Sequence, residues 1–242
     1  MSLFKNQIVS ATSRIALAIL LGLFILVAAS LIMMLTFGLS GPAPSKPWIG
    51  PFVNHTTMLV LSILVILALS IGKISTYGFK LSKNIQLKRI LLLGLSLGVI
   101  GTLVQSQIPD KSPAFMKNFT FPQIVIFIWI YASISEEILT RGLIQGYLAP
   151  LSKYRFTVSK SCISLPMLVS ALFFASMHLA LLTMGMASVK VYIIVLFGFI
   201  LGIIAGYYRE KTESLIPAII VHMLANAGGH CTALFIELFK KI

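Results

Sequence analysis

Charge is scarce in this sequence, and acidic residues are its scarcest kind. Only 10% of the 242 residues are charged, and Asp and Glu together number 6. A soluble domain usually carries about 25% charged residues, so this composition excludes an ordinary soluble fold. A hydrophobic fraction of 58% and a mean hydropathy of +0.99 indicate instead a chain whose solvent is the bilayer.

Further absences exclude other classes of protein. The two cysteines, Cys162 and Cys231, form neither a CxxC pair nor part of a metal-like cluster. The chain contains no H-E-x-x-H zinc motif, no glycine-rich phosphate loop and no extended basic and aromatic pattern that would bind nucleic acid. We therefore expect no nucleic-acid partner, and the net charge of +13 needs another explanation.

The basic residues supply that explanation, because they crowd into short loops between apolar runs. One loop holds Lys73, Lys80, Lys83, Lys88 and Arg89, and another holds Lys153, Arg155 and Lys160. Cytoplasmic loops of membrane proteins carry such an excess of Lys and Arg. We expect a multi-pass protein of a bacterial plasma membrane, with its N-terminus in the cytoplasm and lipid headgroups among its partners.

Apolar runs long enough to cross a bilayer recur along the whole chain and predict an all-α, polytopic bundle of transmembrane helices. The last run is interrupted by Gly228-Gly229, so it predicts one helix or two, and the bundle seven or eight. The runs span 15–38, 55–72, 90–108, 122–149, 163–184, 187–208 and 214–239. Nothing suggests a separate soluble domain.

Two of the rare acids, Glu136 and Glu137, are adjacent in the middle of the fourth run. A charge at the bilayer centre costs about 3 kcal/mol on insertion scales, so such residues usually face a bundle interior or a cavity. Arg141 lies four residues after Glu137, where helical spacing predicts an ion pair. Glu136 points about 100° away around the helix, which makes it the better candidate for a general base.

Three more polar residues lie in apolar runs: His178, His222 and Asn226. His222 and Asn226 are four residues apart, so both side chains share one helix face and could donate hydrogen bonds to one anionic oxygen. Counted at ~1.5 Å per residue, Glu136 and these three residues lie ~12 to ~22 Å from the predicted cytoplasmic ends of their helices. His55 and His230 are explained by solvation at the membrane interface.

The ordered motifs Glu136-Glu137-x-x-x-Arg141, Phe174-x-x-x-His178 and His222-x-x-x-Asn226 resemble those of the CAAX-protease and bacteriocin-processing (CPBP, or Abi) family. The resemblance covers about residues 122–229. It implies an intramembrane glutamic endopeptidase that needs no metal or other cofactor. One departure is Thr140, where this family often has an aromatic residue, and this departure bears on substrate preference.

The resemblance also implies roles for the six polar residues. Glu136 and His178 hold and deprotonate a water, His222 and Asn226 stabilise the oxyanion, and Glu137 with Arg141 supports Glu136. Residues 1–121 would supply three N-terminal helices and residues 122–242 the catalytic helices of one membrane domain. The substrate, a membrane-associated peptide or a lipidated protein tail, and the oligomeric state stay open.

Two alternatives also stay open. A zinc protease could use Glu136, His178 and His222 as ligands, and its activity would be lost on chelation. A non-catalytic immunity or scaffold protein, or a proton-coupled transporter, could also carry buried Glu, His and Arg, since such residues mark proton pathways. No inverted repeat supports transport, and proton-dependent solute flux would distinguish that function.

Overall fold

The computed structural model describes residues 2–39, 46, 48–82, 85–108, 119–158 and 161–240. Within these ranges it has 7 helices that are long and apolar enough to cross a membrane. The predicted all-α, polytopic bundle is confirmed, with the smaller of the two predicted helix numbers in the described ranges. The seven apolar helices make the chain a multi-pass membrane protein.

The seven helices follow one another with short connections. They are α1 (Ser2–Leu39), α2 (Ile49–Ser70), α3 (Leu87–Ser106), α4 (Phe121–Tyr147), α5 (Leu165–Leu182), α6 (Ser188–Thr212) and α7 (Ile216–Phe239). Short 3₁₀ turns, Ile74–Tyr77 and Ala149–Leu151, follow α2 and α4. Between α4 and α5 lies a small antiparallel hairpin of β1 (Arg155–Val158) and β2 (Ser161–Ser164), which the hydropathy pattern did not predict.

Helix α4, which carries both glutamates, contains two π-helical segments. Its segments Ile124–Ala132 and Ile138–Ile144 are π-helical, and the short α-helical stretch Ser133–Glu137 lies between them. A π-helix bonds each carbonyl to the fifth residue onward, so it redirects side chains relative to an α-helix, and such segments are frequent at functional sites. The glutamates therefore lie on the α-helical stretch between two irregular segments.

Helix α2 begins at Ile49, earlier than the predicted start at residue 55. The prediction treated the Pro- and Gly-rich stretch before residue 55 as a loop. Pro51, however, lies in the first turn of α2, where its missing N–H costs nothing because the first turn has no intrahelical acceptor for it. His55 consequently lies inside a helix rather than at its end.

Helix α7 runs unbroken through Gly228-Gly229, so its division into two helices, one of the predicted alternatives, is wrong. These glycines instead allow α3 to pack directly against the backbone of α7. A Cβ added to Gly228 would lie 2.7 Å from the carbonyl oxygen of Leu95, and Thr102 Oγ1 donates to Gly229 O at 3.2 Å. Small residues commonly permit such close helix crossings in membranes.

The loops that are rich in basic residues meet at one end of the bundle. The backbone N–H of Leu215, between α6 and α7, donates to Gly78 O after α2 at 3.0 Å. Ser164, at the end of the hairpin, donates to Glu210 near the end of α6. This shared end agrees with the positive-inside pattern, although its cytoplasmic assignment stays a prediction, and Lys83 and Lys160 lie outside the described residues.

Candidate active site

Glu137 and Arg141 form the ion pair that their spacing predicts, and both side chains are fully buried. Arg141 Nη1 lies 2.9 Å from Glu137 Oε1 and also donates to Thr140 Oγ1 at 2.6 Å. The guanidinium packs over the ring of Phe174, 4.7 Å from its centroid. Thr140, the departure from the family pattern, therefore supplies a polar partner for Arg141 where an aromatic residue would supply none.

Glu137 also binds His222, which lies on α7. His222 Nδ1 is 2.9 Å from Glu137 Oε1, the same oxygen that accepts from Arg141. An ionised carboxylate only accepts hydrogen bonds, so Nδ1 of His222 carries the proton. Glu137 thus joins α4 to α7 through one oxygen with two donors, and this supports its predicted structural part in the site.

Glu136 lies between two imidazoles, one beside each carboxylate oxygen. His55 Nε2 is 3.2 Å from Oε1, and His222 Nε2 is 3.7 Å from Oε2, which is longer than a hydrogen bond. The Glu136 side chain is 18% exposed, whereas that of Glu137 is 0% exposed. Of the two adjacent carboxylates, only Glu136 is open to a water or a substrate.

His55 bears on two expectations. Its side chain is 15% exposed and hydrogen-bonded to Glu136, so the interpretation of His55 as solvated at the interface is wrong. The second expectation was only that Glu136, unlike Glu137, has no partner on its own helix, and His55 supplies a partner from α2 that was not predicted. The sequence signal that could have found this contact is Pro51 at a helix start, which would have placed His55 one turn later inside α2.

His178 lies where α5 tightens from an α-helix into a 3₁₀ turn, at the boundary between Leu165–Met177 and His178–Leu182. The backbone N–H of His178 bonds to Ala175 O and Ser176 O, so it does not bond to Phe174 O. His178 Nδ1 donates to this free carbonyl oxygen instead, at 3.2 Å. Within the described residues His178 makes no hydrogen bond to Glu136, although the two side chains interact electrostatically.

The ring of Phe174 separates the two family-motif histidines. It makes edge contacts with His178 and with His222, at centroid distances of 5.1 and 5.2 Å. Both rings are therefore held by the same buried aromatic side chain, on α5, which also covers Arg141. The arrangement keeps the imidazoles apart and leaves each ring fixed in orientation.

Three histidines of the site share one hydrogen-bonding pattern, in which Nδ1 of each ring donates to an oxygen atom of the protein. The acceptors are Pro51 O for His55 at 2.7 Å, Phe174 O for His178 at 3.2 Å and Glu137 Oε1 for His222 at 2.9 Å. A carbonyl or carboxylate oxygen requires a proton on that nitrogen, so Nε2 is the nitrogen left for proton exchange. Carbonyls one turn earlier on the same helix thus set the tautomers of His55 and His178, and a contact between helices sets that of His222.

Asn226 is placed differently from the predicted oxyanion donor. Its Nδ2 donates to Ile128 O at 3.2 Å and to Ser133 Oγ at 3.1 Å, so both amide hydrogens are already engaged. Ile128 lies in the first π-helical segment of α4, and Ser133 begins the stretch that carries the glutamates. Asn226 would have to exchange one of these partners to reach a substrate, and its oxyanion role stays a prediction.

In His230, one turn after Asn226, Nδ1 is an acceptor rather than a donor. The indole Nε1 of Trp129, which can only donate, lies 3.2 Å from His230 Nδ1 and makes this nitrogen an acceptor. The contact of the same nitrogen with Asn226 O at 3.0 Å is then not a hydrogen bond. His230 is partly buried against α4 and accepts from Trp129, so solvation at the membrane interface does not by itself account for it.

The zinc hypothesis requires Glu136, His178 and His222 to converge on one point. Within the part of the chain that the structure describes, no three or more His, Cys, Asp or Glu side chains are placed to hold a metal ion. The ring of Phe174 between the two histidines gives the physical reason for this separation.

Comparison with known proteins gives one match. Residues 118–228 match the family model described as Type II CAAX prenyl endopeptidase Rce1-like. This range contains all the site residues that the sequence predicted, from Glu136 to Asn226, but not His55. No curated protein and no solved structure matches the chain. The match spans just under half of the chain, and over residues 118–228 it confirms the predicted resemblance to the CAAX-protease family.

Proposed function

We propose that this protein is an intramembrane glutamic endopeptidase that works without a metal and cleaves peptides or protein tails held at the membrane. The observation that carries the proposal is the difference between the two adjacent carboxylates. Glu137 is fully buried and bonded to Arg141 and His222, whereas Glu136 is 18% exposed beside two histidines. A carboxylate that water can reach, held among imidazoles, suits general-base catalysis.

In the first step Glu136 accepts a proton from a water that His178 orients through its Nε2. The water oxygen bonds to the peptide carbonyl carbon, and the electron pair of the C=O double bond moves onto the carbonyl oxygen. Because His178 Nδ1 is held by Phe174 O, the ring cannot rotate freely, and its Nε2 keeps one direction. Such fixed orientation is a large part of enzymatic rate acceleration.

The oxyanion formed in this step needs hydrogen-bond donors. We assign this role to Asn226 Nδ2, after it exchanges its bond to Ser133 or Ile128, and to His222 Nε2. Because Nδ1 of His222 donates to Glu137, Nε2 donates to the oxyanion only when the ring carries a proton on both nitrogens. In the second step the C–N bond breaks, its electron pair goes to nitrogen, and the proton held by Glu136 passes to that nitrogen. The products are a new carboxyl terminus and a free amine.

Glu137 and Arg141 would act as positioning residues. Their ion pair is fully buried, and Glu137 also holds His222 at 2.9 Å. Removal of either charge would leave the other without its partner inside the bundle, which is costly. The pair therefore fixes both the helix that carries Glu136 and the imidazole beside it.

The substrate class follows from the family description alone. A prenylated CaaX tail would place its lipid in the bilayer beside the helices and its peptide at the level of Glu136. The seven membrane helices and the family match support a substrate that reaches the site along the membrane. A farnesylated peptide ending in a CaaX sequence is accordingly the first probe.

The test uses the full chain, purified and placed in lipid nanodiscs, with that farnesylated peptide. We expect Glu136→Gln to lower the rate of cleavage by about 10²- to 10⁴-fold, the usual contribution of a general base. His178→Ala should lower it by a similar factor. Thr57→Val is the matched control, because Thr57 Oγ1 donates only to Val53 O within α2, and its activity should equal that of the wild type.

Cleavage at the wild-type rate by both Glu136→Gln and His178→Ala would overturn the proposal. Loss of wild-type activity on strong chelation would favour the zinc alternative, and proton-dependent solute flux in proteoliposomes would favour a transporter. If the farnesylated probe is not cut, membrane peptides from cells with the wild-type protein and with Glu136→Gln are compared. Uncut peptides should then accumulate with the variant, and identical peptide sets would also count against the proposal.

A further inference from the structure

His55 lies on α2, outside residues 118–228 that match the family and outside all three motifs. Its imidazole nevertheless touches the carboxylate proposed as general base, at 3.2 Å between Nε2 and Oε1 of Glu136. This contact joins residues that are 81 positions apart, and both side chains are only 15% and 18% exposed. Because water has little access to this contact, the protons held by His55 and Glu136 determine its strength.

The protons can be counted from the acceptors. His55 Nδ1 lies 2.7 Å from Pro51 O, and a carbonyl oxygen only accepts, so Nδ1 carries a hydrogen. The contact between Nε2 and Glu136 Oε1 needs one further hydrogen. It lies either on Nε2, giving an imidazolium beside a carboxylate, or on Oε1, giving a neutral imidazole beside a carboxylic acid. The pair therefore holds one shared proton.

We propose that His55 is a positioning residue for Glu136, which shares this proton with it and fixes the plane of its carboxylate. The inference deepens the proposed function and rests on it. With Oε1 held by His55, Oε2 becomes the oxygen that receives the proton of the attacking water. When the proton of the pair lies on His55, Glu136 is the carboxylate that the first step requires.

Other titratable groups also surround Glu136 and must be separated from His55 in any pH experiment. They are His222 on α7, His178 on α5, and Glu137 and Arg141 on α4. Beside His55, Thr56 hydrogen-bonds the phenol of Tyr131 at 2.7 Å. Among the described residues only His55 is bonded to Oε1, so its substitution removes one contact of Glu136 and leaves the other groups around this carboxylate in place.

The experiment measures kcat and KM against pH for the wild type, His55→Gln, His55→Phe and the control Thr57→Val, with the farnesylated CaaX peptide. We expect His55→Phe to lower kcat between about 10- and 100-fold with little change in KM, as is usual for residues that orient a catalytic group. Gln keeps a donor near the position of Nε2 but cannot titrate. His55→Gln should recover part of kcat at neutral pH, and it should lack the alkaline decline that loss of the shared proton gives the wild type.

Two results would overturn this inference and leave the proposed function intact, and a third would overturn the proposed function itself. If Glu136→Gln is inactive but both His55 variants match the wild type, His55 has no part in the reaction. If His55→Gln keeps the wild-type pH profile, no proton is shared. If Glu136→Gln itself retains activity, the proposed function fails first.

A readout without substrate completes the test. Nitrogen-15 NMR of histidine-labelled protein in nanodiscs, with the His55 signals identified by their loss in His55→Phe, reports the protonation of both ring nitrogens. We expect Glu136→Gln to change the Nε2 signal of His55, while Thr57→Val leaves it unchanged. Identical His55 signals in Glu136→Gln and the wild type would overturn the shared proton even if no peptide is cleaved.

Discussion

Two clusters of buried polar residues lie along α4, and they are built in opposite ways. The site cluster comprises His55, Glu136, Glu137, Arg141 and His222. The hairpin-end cluster, near the β-hairpin, comprises Gln145, Ser164, Ser170, Gly206 and Glu210. In the second cluster Gln145 Nε2 donates to Gly206 O at 3.0 Å and to Glu210 Oε1 at 3.3 Å, Ser164 donates to Glu210, and Ser170 lies 3.4 Å from Gln145 Oε1.

The difference lies in what remains unpaired. Each member of the hairpin-end cluster donates to or accepts from another member, so the cluster joins α4, α5 and α6 and offers little to a ligand. In the site cluster, Glu137 Oε2 and Arg141 Nε and Nη2 have no hydrogen-bond partner among the described residues. Unpaired buried polar atoms are costly, and they concentrate at sites with a function beyond packing. In this bundle the unpaired atoms of Glu137 and Arg141 distinguish the site cluster from the hairpin-end cluster.

The largest effect should come from breaking the ion pair of the site cluster. Arg141→Met leaves the Glu137 carboxylate buried with one donor fewer, and we expect a loss of about 3–5 kcal/mol in unfolding free energy. The double variant Glu137→Gln with Arg141→Met removes both charges and should be more stable than Arg141→Met alone. Equilibrium unfolding in mixed micelles measures both, and a double variant less stable than the single one would contradict a charge-pairing role.

Asn226 tests whether the site cluster reaches the substrate. If Asn226 donates to the oxyanion, Asn226→Ala should lower kcat by about 10²- to 10³-fold with little change in stability. If it only ties α7 to α4 through Ile128 and Ser133, unfolding free energy falls and kcat of the folded protein does not. Ser133→Ala is the matched control, because it removes one partner of Asn226 and leaves the amide in place.

The hairpin-end cluster should affect stability alone. Gln145→Leu removes donors to Gly206 O and Glu210, and leaving these buried acceptors unmatched should cost about 1–3 kcal/mol of unfolding free energy. Cleavage by the folded fraction should stay at the wild-type rate. A loss of kcat without a loss of stability would show that the two clusters are coupled along α4.

The smallest effect concerns a surface pair at the same end of the bundle. A hydrogen bond from Lys80 lowers the pKa of Glu213 below its ordinary value. The stabilisation that accompanies a lowered carboxyl pKa is fully present above the ordinary glutamate value, and it is lost as pH falls through the lowered value. Lys80 and Glu213 are 40% and 67% exposed, so the pair contributes at most about 1 kcal/mol.

That contribution is measured by comparing unfolding of the wild type and Lys80→Met across pH. The difference between them should be constant near neutral pH and vanish in acid. A difference that persists in acid would mean that Lys80 stabilises the protein by packing rather than by charge.

Hydropathy and helical spacing predicted the membrane class and the buried ion pair of the candidate site. Long apolar runs predict spanning helices because an unpaired backbone is too costly in lipid, and the described part of the chain contains seven such helices. Helical spacing alone predicted the pair of Glu137 with Arg141. The family resemblance, drawn from three short motifs, is matched over residues 118–228. These features depend on local periodicity and on residue type, both of which a sequence displays directly.

Contacts between residues far apart in the sequence could not be predicted and are visible only in the tertiary structure. The partner of Glu136 is His55, 81 residues away, and the start of α2 at Ile49 brings the two together. The tautomer of each histidine, and the engagement of the Asn226 amide by Ile128 and Ser133, follow from acceptors on neighbouring turns or on other helices. A sequence can name a histidine inside the membrane. The acceptor beside the ring sets which nitrogen holds the proton. In this bundle the acceptors of His55 and His222 leave the Nε2 atoms of these two rings facing Glu136.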